Sequence, residues 1–167
     1  MTETYKRACG TCMLCCKLPS IAELNKPQGK WCRHAKPGKG CENYPNRPTP
    51  CRGFYCIWTW DERLGPEWHP SEAKFYLYLK ANGNVVLMAD PSAPLAWRQP
   101  KYYQTLIQAS ASLLAKNNSM RVICGKRSLF LLPDREINIP SQDEGKNVSL
   151  RVVRKLGDIS YELDVSD

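Results

Sequence analysis

The sequence predicts an α+β fold: a mostly antiparallel sheet with one main helix, joined to a cysteine-rich N-terminal module. Three observations lead there. Eight of the nine cysteines fall within residues 9–56, and the ninth, Cys124, lies far away. After residue 70, strand-like runs meet at turn signals three times, the pattern of hairpins. Between them PKYYQTLIQASASLLAKNN carries helical spacing.

The first part, residues 1–62, has six of the thirteen prolines and little hydrophobic periodicity. KPGKGCENYPNRPTPCRGFYC reads as an irregular loop. A segment so short and so poor in core needs a staple. In CGTCMLCC, positions 9, 12, 15 and 16 fall within an arc of about 120° on a helix. The spacing therefore predicts a short helix over 9–17, ended by Pro19, with a coiled knuckle as the alternative that also satisfies a C-x2-C pair. HPSEAK marks the boundary with the second part, residues 70–167. Trp58, Trp60 and Trp68 supply apolar area near it, so both parts are expected to pack as one compact unit.

In the second part, FYLYLKANGNVVLMAD predicts two strands turning at Asn82-Gly83. The helix presents Tyr103, Leu106, Ile107, Ala109, Leu113 and Leu114 as an apolar stripe and stops at Asn117-Asn118. One of Tyr102 and Tyr103 is expected to pack and the other to be exposed. MRVICGKRSLFLLPD predicts a hairpin across Gly125-Lys126. SLRVVRKLGDISYELDV predicts another near Gly157-Asp158.

The net charge of +8 is lopsided: residues 1–60 hold ten Lys/Arg against three Asp/Glu, the remainder fourteen against thirteen. Such a basic half suits nucleic acid. It equally suits local compensation of thiolates, and cationic neighbours favour the thiolate form; compensation is the leading reading. No run of about 18 apolar residues is present, so no membrane span is expected. The start, MTETYKRACG, lacks the apolar stretch of a secretory signal. A cytoplasmic, reducing setting is expected, where dense cysteines argue for metal rather than disulfides.

The cysteine spacing is C-x2-C-x2-C-C-x15-C-x8-C-x9-C-x4-C. Eight thiolates, Cys9, Cys12, Cys15, Cys16, Cys32, Cys41, Cys51 and Cys56, are what two tetrahedral all-thiolate zinc sites require. Two cubane iron–sulfur clusters require the same number. Successive side chains seldom reach one small ion together, so Cys15 and Cys16 are expected to serve two centres, or one of them to bridge neighbouring metals. Zinc is the first reading for the cofactor and an iron–sulfur cluster the second. The C-x3-C-P continuation of bacterial ferredoxins is missing, since Lys17 follows Cys16.

CGTCMLCC, followed by WCRHAKPGKGCENYPNRPTPCRGFYC, resembles the CxxCxxCC cysteine-cluster (YkgJ-like) family. The resemblance rests on that opening, on Gly40, Cys41 and Tyr44, and on Arg47, Pro48, Cys51 and Phe54. It covers about residues 9–60 and implies zinc or iron chelation without an established reaction. Flagellin lysine N-methylases resemble the same motif family, which gives a redox or methyl-transfer enzyme component as an alternative. The glycine pair Gly38 and Gly40 lies inside the cysteine module and not after a strand, which speaks against a methyl-donor loop. A basic nucleic-acid-binding module is the other alternative.

The remaining candidates have plainer readings. His34 is expected to face solvent or to support a ligand, His69 to sit in a turn, and Cys124 to pack as a small hydrophobe. Arg47 and Arg52 can contact phosphate or donate to loop carbonyls. Tyr44, Phe54, Tyr55 and Trp58 can stack on bases, but packing under the metal loops is the expectation. No Ser/His/Asp arrangement or P-loop is present, so no catalytic residue is assigned. Metal ions are the expected partners.

Overall fold

The computed structural model describes residues 6–140, 146–155 and 158–166. The cysteine-rich part consists of turns and short pieces of structure. Its first helix, α1, spans Leu14–Lys17 only, one turn rather than the helix expected over 9–17. Gly10 has φ +55°, a left-handed conformation that a right-handed helix cannot contain. The Cys12 amide instead closes a turn on the Cys9 carbonyl at 3.0 Å. A small hairpin follows, β1 (Ala35–Lys36) with β2 (Gly40–Cys41). Next come α2 (Thr49–Arg52), which starts behind Pro48, and α3 (Pro70–Ala73). Pro19 follows α1 closely, as expected.

The second part is built on a five-stranded sheet ordered β3-β4-β5-β6-β7. Strands β3 (Phe75–Leu79) and β4 (Val85–Ala89) pair antiparallel, with Gly83 at φ +86° in the turn between them. Helix α4 (Pro100–Leu114) leads to β5 (Met120–Cys124) and β6 (Arg127–Leu131), the hairpin expected across Gly125. A short β7 (Glu136–Asn138) completes the sheet. β4 and β5 are parallel, which the hairpin signals did not reveal. Both flank α4, and a connection through a helix lets consecutive hairpins share a sheet with parallel neighbours. The last two strands, β8 (Asn147–Lys155) and β9 (Asp158–Ser166), form their own antiparallel ladder. The turn expected near Gly157 lies partly outside the described residues. The architecture is α+β, mostly antiparallel, with one main helix.

Strand alternation gives the sheet two apolar faces. Phe75 and Leu77 join Leu87, Val122 and Leu131 in the main core, which α4 covers with Tyr102 and Leu106. Buried positions on α4 are Tyr102, Leu106, Ser110 and Leu114, while Tyr103, Ile107, Ala109 and Leu113 sit at the edge of the core. The stripe is thus centred on Tyr102. Ser110 was missed because it is polar; its hydroxyl is satisfied by donating to the Leu131 carbonyl at 2.9 Å. On the opposite face Tyr76 and Met88 pack with Leu14, Leu18 and Cys56. The cysteine-rich part docks on that face.

Three further links hold it there. Lys17 of α1 makes an ion pair with Asp90 at 2.6 Å. Cys56 forms an antiparallel bridge with Tyr78. Phe54 meets Tyr76 edge-on at 5.1 Å between ring centroids. Ile57 and Trp68 belong to the main core itself, so apolar packing runs across the 62/70 boundary.

Candidate metal centre

The eight cysteines expected as ligands are distributed over two neighbourhoods. Cys9 and Cys12 are the ends of a tight turn, with Cys12 donating back to Cys9. Cys15 lies three residues on, within α1. Cys56 arrives from the far end of the module, where the chain enters a short 3-10 turn over Ile57–Thr59. The Thr59 hydroxyl donates to the Cys56 carbonyl at 2.6 Å. Cys9, Cys12, Cys15 and Cys56 line one cavity of about 20 Å³, together with Phe54, Trp58, His69 and Tyr76.

The second neighbourhood gathers Cys16, Cys32, Cys41 and Cys51. Cys16, Cys32 and Cys41 all act electrostatically on Cys51. The Cys32 amide donates to the Cys16 carbonyl at 2.9 Å. The β1–β2 hairpin carries Cys41 back towards Cys32, and α2 holds Cys51. Cys16 also acts on Cys9 and Cys12, and its thiol is hydrogen-bonded with that of Cys15, so it lies between the two neighbourhoods. Among the described residues, no three His, Cys, Asp or Glu side chains form a group able to hold a metal ion. The grouping is one of cavity lining and electrostatic neighbourhood.

Charge in the two groups is unevenly tuned. Burial raises the Cys56 thiol to about 12, reinforced by Cys9 and Cys12. Burial likewise raises Cys9, Cys12 and Cys51, with neighbouring thiols adding to it. Cys16 runs the other way: a hydrogen bond from Cys15 lowers it, helped by Lys26 and Arg47. The same hydrogen bond and burial raise Cys15. The hydrogen bond from Cys15 and the basic residues around Cys16 thus favour its thiolate.

The supporting residues were less visible in the sequence. Lys26 is 6% exposed, and its ammonium donates to the carbonyls of Lys17, Pro19 and Pro27. Nothing in NKPQGK marks it out. His69 lies in a turn, as expected, with Nδ1 at 2.6 Å from Ser71 Oγ and Nε2 at 3.3 Å from the Cys9 carbonyl. His34 is half-buried in the hairpin, its carbonyl accepting from the Glu42 amide. Arg47 and Arg52 donate to the carbonyls of Tyr44 and Arg47, respectively. Phe54 and Trp58 pack as expected, but Tyr44 is 58% exposed and lies under the Arg47 guanidinium at 3.7 Å. Tyr55 is also exposed. Both rings are exposed rather than packed under the loops, so the packing expected of them is corrected. Cys124 is half-buried against the main core. No helix of the described residues is long and apolar enough to cross a membrane.

Compared with family models, with curated proteins and with solved structures, the chain matches none.

Proposed function

We propose that this chain is a metal-binding protein that holds two ions, zinc in the first instance, each in a set of four cysteines. One set is Cys9, Cys12, Cys15 and Cys56; the other is Cys16, Cys32, Cys41 and Cys51. The observation that supports the reading is the gathering of these thiols in one module: Cys9, Cys12, Cys15 and Cys56 line one cavity, and Cys16, Cys32 and Cys41 act together on Cys51. Four soft thiolates per set suit zinc. Burial that disfavours thiolates is offset when a divalent cation enters, because the cation inverts the local charge balance. The resemblance to the cysteine-cluster family points the same way. In this reading the ions staple a segment that has few regular elements, and their binding free energy is folding free energy.

The test is to purify the protein without oxygen and to quantify zinc, iron and labile sulfide per chain. About two zinc ions and no sulfide are expected. Iron with matching sulfide replaces zinc by an iron–sulfur centre and revives the redox or methyl-transfer alternative. A protein that takes up neither defeats the proposal. The partition has its own test: Cys12→Ala and Cys32→Ala should each retain about one zinc, and loss of both ions from either variant would count against two separate sets.

A second reading, a nucleic-acid-binding surface, draws on one observation. Trp31 and Tyr44 are 56% and 58% exposed in a segment rich in Lys and Arg, as single-strand binders use aromatics and charge together. It predicts retention on single-stranded RNA or DNA that weakens steeply with salt. No salt-sensitive retention on either would remove it.

A further inference from the structure

Strand β3 aims alternate side chains at opposite faces of the sheet. Phe75 and Leu77 enter the main core, whereas Tyr76 points to the docked cysteine module. Tyr76 is 3% exposed, and Phe54 meets its ring edge-on. It lines the cavity shared by Cys9, Cys12, Cys15 and Cys56. Its hydroxyl is buried and has no hydrogen-bond partner among the described residues. A buried hydroxyl without a partner is costly, and each such group calls for an explanation. Phenylalanine would fill the same apolar site without that cost.

We propose that the Tyr76 hydroxyl donates a hydrogen bond to a thiolate of Cys15 or Cys56 and thereby sets how firmly the first cysteine set holds its ion. This rests on the metal-binding reading of that set. A thiol is a weak acceptor, whereas a metal-bound thiolate carries charge that an O–H can stabilise. Tyr76 is a positioning and tuning residue in this scheme, acting through the sulfur and not on the ion. Groups in this outer position typically change metal affinity 10–100-fold when removed.

Cobalt(II) is the probe, because its thiolate complexes absorb in the near-ultraviolet and visible. Wild type, Tyr76→Phe and Tyr78→Phe are titrated without oxygen against a competing chelator. Tyr78 shares the strand face but has Arg121 as its charged neighbour, so it serves as the control. The expected result is that Tyr76→Phe holds one of its two cobalt ions about 10-fold more weakly. Its thiolate-to-cobalt band moves to longer wavelength, since a sulfur without the hydrogen bond gives up charge more easily. The second ion and Tyr78→Phe match wild type. Unchanged affinity and an unchanged band in Tyr76→Phe overturn the proposal while leaving the metal-binding reading standing. Loss of both ions in that variant also overturns it, because the hydrogen bond acts on one set. Absence of cobalt uptake by the wild type defeats the metal-binding reading itself.

Discussion

Lys26 shows how much a single side chain does where regular structure is sparse. Its ammonium donates to the carbonyl of Lys17, at the end of α1, and to those of Pro19 and Pro27 in the turns beyond it. Burial lowers its pKa, an effect opposed by Cys32, Cys16 and Cys51 nearby. Lys26→Met keeps the alkyl length and removes the donors. Unpaired, partly buried carbonyls and a lost cation should cost about 2 kcal/mol, read as a lower urea midpoint at unchanged slope. The eight cysteines were legible in the sequence because their spacing is itself a signal. Lys26 and the orphan hydroxyl of Tyr76 were not, since a lone lysine and an alternating tyrosine look the same whether exposed or buried.

At the level of elements, α1 is a single turn and has little helical stability of its own. What fixes it is Leu14 and Leu18 against the sheet, and Lys17 against Asp90. Burial pushes the Asp90 carboxyl up, but hydrogen bonds from Lys17 and Ser92 together hold it below the usual carboxylate range. A lowered carboxyl stabilises the fold fully above its unfolded value, about 3.9. That contribution is lost as pH falls through the lower folded value. Stability should therefore drop below about pH 4, and Asp90→Asn should flatten this part of the acid limb. Lys17→Met strands the buried carboxylate and should cost roughly 3 kcal/mol at neutral pH. Thermal unfolding of the three proteins across pH checks both statements. The β3–β4 and β5–β6 hairpins were readable because alternation and glycine turns are local. The parallel β4–β5 pair was not, because it depends on where α4 lies.

Across the whole molecule, support is expected to run one way. The main core is apolar and built on the five-stranded sheet, whereas the cysteine-rich part has only a small cluster and, on the proposed function, the ions its thiols hold. Chelation should open residues 9–56 to protease and hydrogen exchange while β3 to β6 stay protected. Leu87, fully buried in the sheet, offers the converse test. Leu87→Ala should cost about 2–5 kcal/mol and lower the melting of both parts together, since Ile57 and Trp68 tie the module into the same core. Separate melting of the two parts in Leu87→Ala would contradict that linkage.

The parallel pairing of β4 with β5 also bears on how the chain first finds its fold. The β3–β4 and β5–β6 hairpins each join neighbouring segments, so either can close early at little entropic cost. Val85 must then meet Met120, and that contact waits for the intervening chain, α4 included, to fold back. Non-local pairings of this kind slow folding. Substitutions that stiffen α4, such as Ser112→Ala on its exposed side, should therefore speed refolding more than substitutions in either turn.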